Sequence, residues 1–263
     1  IKCLLSKRKE VPIMTHIILC GCNGKMGAAV QNFVNQREDC QIVAGVDISP
    51  ADTGAFPVYS SLNDVKETAE VVVDFSHPTA LSSILNYCRS HSGTAAVLCT
   101  TGYSQEQTKE IQDASKELPL FYSRNMSLGV NLLIELAKKA EAVLGDAFDV
   151  EIVEMHHNQK IDAPSGTALM IADAINQVRG DGMNYVYDRH SQRKKREKKE
   201  IGLHSVRGGT IVGEHQVIFA GQSEVITLSH SAQSKELFAA GAVNAAVYMT
   251  GKEPGLYDMS HLV

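Results

Sequence analysis

The chain has 263 residues, enough for one large or two modest domains with a substantial core. Hydrophobic residues make up 44% and the net charge is −5, an ordinary globular composition that excludes a general attraction to nucleic acid. No apolar run approaches the roughly 18 residues that a membrane helix needs.

Residues 1–13 carry Lys2, Lys7, Arg8 and Lys9 but no long apolar stretch, so they read as a flexible extension rather than a signal peptide. The six cysteines, Cys3, Cys20, Cys22, Cys40, Cys88 and Cys99, lie scattered in apolar surroundings, as free thiols of a cytoplasmic protein do. The run 16–20 reads as a buried strand. It enters Gly21-Cys22-Asn23-Gly24-Lys25-Met26-Gly27, and 28–34 then has helical spacing. Strand, glycine turn and helix in that order are the setting of a dinucleotide site. Gly24 would let backbone approach a pyrophosphate and Gly27 would let the helix pack on the strand, with the pyrophosphate at the helix start among Gly21, Gly24, Lys25, Met26 and Gly27. Cys22 stands where the commoner G-x-G-x-x-G pattern has its first glycine. The next strand, 40–46, ends in Asp47, 20 residues after Gly27, the place of a ribose-binding carboxylate. That acid repels a 2′-phosphate, and 48–54 offer no Lys or Arg, so NADH is expected to be preferred, with NADPH possible.

Further strand runs at 70–75, 94–99 and 118–122 end in Ser76-His77-Pro78, Thr100-Thr101-Gly102 and Ser123-Arg124-Asn125-Met126-Ser127, and 80–89 reads as a helix. Strands alternating with helices imply an α/β, Rossmann-type doubly wound parallel sheet with ligands beyond the strands' carboxyl ends. The segment 131–144 has helical spacing, with Leu132, Leu136, Lys139 and Ala140 along it, and leads into a second domain. A strand over 147–155 follows, and a helix from 168 that ends at Gly180–Gly182. The basic stretch 189–200 reads as a solvated, mobile loop, because no aromatics interleave it as in a nucleic-acid site. Runs 216–220 and 224–230 around Gly221-Gln222-Ser223 read as a hairpin, so the second domain is α+β with a mixed or antiparallel sheet. A helix over 234–248 closes the pattern. The expected division is 14–128 with 237–263 for the dinucleotide, and 129–236 for substrate and assembly.

Chemistry concentrates in Glu154-Met155-His156-His157-Asn158-Gln159-Lys160-Ile161-Asp162-Ala163-Pro164-Ser165-Gly166-Thr167. Pro164 sits where a helix can begin, and Ser165 or Thr167 can cap it. Free N–H groups at such a start bind carboxylates. Two imidazoles and an ammonium just upstream suit gripping a small dicarboxylate and moving a proton onto it. A structural histidine pair is the plain alternative. A metal site is not expected, because His156 and His157 are adjacent and no Cys lies nearby.

This segment resembles the substrate motif of the 4-hydroxy-tetrahydrodipicolinate (dihydrodipicolinate) reductase family of lysine and diaminopimelate biosynthesis. The resemblance runs from Met14 to about Met259. It includes Phe75-Ser76-His77 and Thr100-Thr101-Gly102 as cofactor-contacting stretches, and 123–131, with Asn125 and Met126, as a hinge in which Arg124 replaces the usual Pro. Arg207-Gly208-Gly209, 211–215 and 252–259 match as well. The resemblance implies His156 as general acid, Lys160 pairing with a substrate carboxylate, and His157, Ser165, Gly166 and Thr167 binding substrate. It also implies a homotetramer built through the second domain's sheet. A reductase or dehydrogenase of a related dicarboxylate or amino acid, or a non-catalytic NAD-binding sensor, remain alternatives.

Overall fold

The computed structural model describes residues 14–51 and 54–263, so the expected extension at 1–13 lies outside the described residues. The chain divides into two compact units, 1–124 with 242–258, and 125–241 with 259–263.

In the first unit, β1 (Thr15–Cys20) leads through the glycine turn into α1 (Lys25–Val34), then β2 (Cys40–Val46), β3 (Val58–Tyr59) and β4 (Val71–Asp74). α2 (Leu81–Ser90), β5 (Ala95–Leu98), α3 (Gln105–Ala114) and β6 (Pro119–Tyr122) follow. Val71 to Asp74 and Ala95 to Leu98 are buried throughout, as strands covered on both faces must be. Ile18, Val72, Ala96 and Leu120 form a core with Leu81, Ile84 and Leu85 of α2.

α4 (Leu128–Leu144) opens the second unit, with β7 (Asp149–His156), α5 (Gly166–Val178), β8 (Asn184–Val186), β9 (Glu200–Arg207), β10 (Gly213–Ala220) and β11 (Val225–Ala232) after it. Its sheet has the order β11-β10-β7-β9-β8. β7 pairs antiparallel with β10 but parallel with β9, so the sheet is mixed. Val150 and Ile152 of β7, Leu203 of β9 and Val217 and Phe219 of β10 pack under Leu133 and Ala137 of α4 and Ile171 and Ile175 of α5. α6 (Glu236–Met249) and β12 (Gly255–Tyr257) come last. β12 pairs with β6, which completes the parallel sheet of the first unit in the order β12-β6-β5-β4-β1-β2-β3. Chain progression reverses between β1 and β4, the switch point beyond which ligands bind in such sheets.

Packing adds to the sequence pattern at one helix and one loop. The buried row of α4 is Val130, Leu133, Ile134 and Ala137, while Leu132 and Leu136 are 46% and 44% exposed. Both rows are apolar, and packing on the sheet chose between them. The basic stretch, in turn, is tied down by its arginines. Arg196 donates to Asp149 and Glu151 at 2.8 and 2.9 Å and to the carbonyls of Val150 and Glu200. Arg189 bridges Glu151 and Glu200. Much of its charge is answered internally by acids of β7 and β9.

Candidate functional site

Two groups of residues stand out, one in each unit. In the first, Gly21 has φ +77°, and a Cβ there would stand 2.5 Å from the carbonyl oxygen of Phe75. Only glycine meets both demands. At Gly27 a Cβ would fall 2.3 Å from the Gly21 oxygen, so this glycine lets α1 pack under its own turn. Gly24 is the N-cap of α1 and has no side chain to cap it, which leaves the first N–H groups of the helix open to an anion. Asp47 is held by the backbone N–H of Asn23 and of Ser49, each at 3.0 Å. Each carboxylate oxygen keeps a lone pair for a further donor. Gly21, Gly24, Asp47, Phe75, Ser76 and His77 line one cavity of about 380 Å³.

Beneath that rim, buried Asp74 accepts from the Ser76 N–H at 3.0 Å and from the Tyr103 hydroxyl at 3.1 Å. It thereby ties the loop after β4 to the loop after β5, where Thr100 is buried and Thr101 and Gly102 are exposed. Burial, with Asp74 opposite, pushes the Tyr103 phenol far up, so it stays a donor. A cradle without side chains, a helix start and a fixed carboxylate fit a dinucleotide. Lys25 and Met26, the first two residues of α1, stand at that start. Asn125 and Met126 belong to the second unit, where the Asn125 amide donates to the Thr167 hydroxyl at 2.9 Å.

The second group grows out of strand alternation. Val150, Ile152, Glu154 and His156 share one face of β7, and the core they build turns polar at its end. Glu154, 1% exposed, lies opposite His215 on β10 and Ser205 on β9, and His156 lies opposite Arg207. Arg207 grips both oxygens of Glu154 at 2.7 and 2.8 Å, and His156 Nδ1 lies 2.6 Å from Oε2. The Ser165 N–H donates to Oε1 at 3.1 Å. Burial pushes the Glu154 carboxyl up, but hydrogen bonds from Arg207, His156 and Ser205 outweigh it and hold the pKa at about 2. His156 is lowered by burial, against the upward pull of Glu154, with Lys160 and Arg207 adding to the lowering. His215, 3% exposed and edge-on to His156 at 5.3 Å, is pushed down to about 4 by burial and by His156.

Pro164 precedes the cap rather than opening α5, and Ser165 is the cap, its hydroxyl accepting from the Ala168 N–H. The same hydroxyl lies 2.9 Å from His215 Nε2, so both polar groups of Ser165 are engaged. Gly166 is exposed with open space where a Cβ would stand. Thr167 accepts from Asn125 and keeps its own proton to donate. Lys160 pairs with Asp162 at 2.9 Å, and His157 Nδ1 is buried without a hydrogen-bond partner among the described residues. The structure thus brings His156, Ser165 and, through Glu154, Arg207 and His215 into one network. The supporting Glu154, Arg207, Gly213 and His215 had no role assigned from sequence. The i, i+2 spacing of Glu154 and His156 on a strand was the available signal.

Among the described residues, no helix is long and apolar enough to cross a membrane, and no group of three or more His, Cys, Asp or Glu is placed to hold a metal. The fold and glycine turn define the class, a protein built on a dinucleotide-binding fold. Models of the dihydrodipicolinate reductase N-terminus and C-terminus match residues 15–126 and 129–263. The chain belongs to the dihydrodipicolinate reductase family. It is 53% identical over 253 residues to the 4-hydroxy-tetrahydrodipicolinate reductase of Caldanaerobacter subterraneus subsp. tengcongensis, covering 95% of this chain and 99% of that one. Against the enzyme of the same name from Clostridium novyi the identity is 47%, covering 95% and 98%. The solved dipicolinate-bound dihydrodipicolinate reductase of Paenisporosarcina sp. TG-14 superposes with a TM-score of 0.79 at 27% identity, covering 95% of this chain and 100% of that one. A myo-inositol dehydrogenase of Corynebacterium glutamicum, at TM-score 0.56 and 13% identity, covering 92% and 91%, shares the fold alone.

Proposed function

We propose that the chain reduces 4-hydroxy-tetrahydrodipicolinate to tetrahydrodipicolinate, a step of lysine and diaminopimelate biosynthesis, with NADH preferred over NADPH. The observation that carries this reading is His156. In a chain of this family, its Nδ1 is taken by a buried carboxylate, beside an ammonium and an open helix start.

A reduced nicotinamide dinucleotide supplies the hydride when bound. The first unit holds it: the start of α1 with Gly21, Gly24, Lys25, Met26 and Gly27 meets the pyrophosphate, and Asp47 meets the adenosine ribose. Phe75, Ser76, His77, Thr100, Thr101 and Gly102 shape the nicotinamide end, and Asn125 and Met126 are further candidates from the start of the second unit. NADH preference rests on Asp47, which repels a 2′-phosphate, and on Ile48, whose 99% exposed side chain brings no cation. The second unit holds the substrate. Lys160 exchanges Asp162 for a substrate carboxylate, and the N–H groups of Gly166 and Thr167 with the Thr167 hydroxyl grip a carboxylate. Ser165 sets the helix start they belong to, and His157 lends its unpartnered ring. His156 delivers a proton from Nε2 as electron density arrives; the substrate's carboxylates favour the imidazolium and so counter its lowered pKa.

The enzyme acts in the cytoplasm as a homotetramer. Among the described residues, α4 and α5 cover one face of the second sheet, and Val153, Met155 and Ile218 on the other face are half-buried and available for assembly.

Initial rates with freshly generated substrate and either cofactor test the reading. Turnover with a higher kcat/KM for NADH, and competition by pyridine-2,6-dicarboxylate, are expected. Absence of turnover in protein that binds NADH would refute it. His156→Gln should lower kcat by about 100- to 10,000-fold, the range of a general acid. Light scattering on a sizing column should give four times the chain mass.

A further inference from the structure

Glu154 is held by more partners than a structural carboxylate needs. Arg207 and the Ser165 N–H fix its two oxygens, and Oε2 is aimed at His156 Nδ1, 2.6 Å away. Facing an ionised acceptor, the neutral imidazole keeps its proton on Nδ1. Nε2 is then the ring's open nitrogen. It points toward Gly213, where a Cβ would stand 3.0 Å from it, so the space there exists only because that residue is glycine. Among the described residues, the charged and titratable groups that act on the ring belong to this arrangement: Glu154 on its own strand, Lys160 in the following loop, Arg207 on β9 and His215 on β10.

We propose that Glu154 is a positioning residue: clamped by Arg207, it fixes the tautomer and orientation of His156, so that Nε2 is the nitrogen that carries the reacting proton. The proposal rests on His156 being the acid. The α5 start is set by the same carboxylate through Ser165, so one buried group aligns the acid and the anion-binding helix end.

The isostere Glu154→Gln tests it. With the carboxylate gone and Arg207 uncompensated, the imidazolium is disfavoured and the pKa of His156 falls. Turnover needs the protonated ring, so the decline of kcat with rising pH should move to lower pH, and kcat should drop about 10- to 100-fold. In a His156→Gln background the same change should leave kcat almost unmoved, because that effect runs through His156, whereas the share carried by the α5 start is read in KM in both backgrounds. An equal loss of kcat in both backgrounds, or an unmoved pH profile, would overturn the proposal. Nitrogen NMR of the histidines in the unaltered enzyme decides the matter even where Glu154→Gln fails to fold. A proton on Nδ1 of neutral His156 is expected, and a proton on Nε2 would overturn it. Full turnover by His156→Gln would instead overturn the acid assignment itself, even with the Nδ1 proton in place.

Discussion

Gly213 and His215, two positions apart on β10, constrain the same imidazole in different ways. Gly213→Ala should crowd Nε2 of His156 and lower kcat by about 10- to 100-fold, the scale of a small misplacement at a reacting group. His215 resists protonation while buried. Its folded pKa of about 4 lies below the ordinary value of 6.5, so the folded state binds fewer protons. Stability therefore falls as pH drops through 6.5 and stops falling near 4. Glu154, about 2 in the folded protein against an ordinary 4.5, stabilises above 4.5 and loses that contribution as pH falls toward 2. Urea midpoints measured against pH should show both windows. His215→Asn should flatten the upper one, and Glu154→Gln the lower. A midpoint independent of pH between 6.5 and 4 would contradict the burial of His215 in its neutral form.

The helix ends of the second unit carry their own test. Arg179, just past α5, pairs with buried Glu141 of α4 and also reaches Asp146 and the carbonyls of Gly145 and Phe148. Arg179→Ala would strand Glu141, 2% exposed, inside the protein and should cost about 3–5 kcal/mol in equilibrium unfolding. Such long-range pairs are invisible in sequence, where Arg179 lies 38 residues from Glu141. Local signals were legible where geometry and residue type coincide: the glycine turn, the acid after β2, the Ser165 cap. They failed where packing decides. On α4 two apolar rows competed, and the row carrying Leu132 and Leu136 faces outward. α3 escaped notice because only Ile111 and Ala114 are buried, although Ser104 and Gln107 form a capping box at its start. The ties of Arg196 in the basic stretch were not visible because Asp149 and Glu151 lie on a strand more than 40 residues upstream.

At the scale of the whole molecule, the dinucleotide fold was legible because its strand, glycine turn and helix fall in one short run, and the segment 154–167 stood out for the same reason. The supporting network was not legible, since Glu154, Ser165, Arg207 and His215 meet only when β7, β9, β10 and the start of α5 assemble. One topological feature bears on how the protein comes into being. β6 is flanked on one side by β5, but its other neighbour is β12, at Pro119 against Gly255. During synthesis the ribosome must make roughly 130 further residues before that edge is covered. A nascent chain stalled before residue 255 exposes the unpaired N–H and carbonyl row of β6, a template for another chain's strand. Chains truncated at 250 should aggregate on refolding, and a peptide spanning 252–259 added in excess should suppress it. Whether the nascent sheet is closed or sticky therefore turns on β12, made long after the strand it covers.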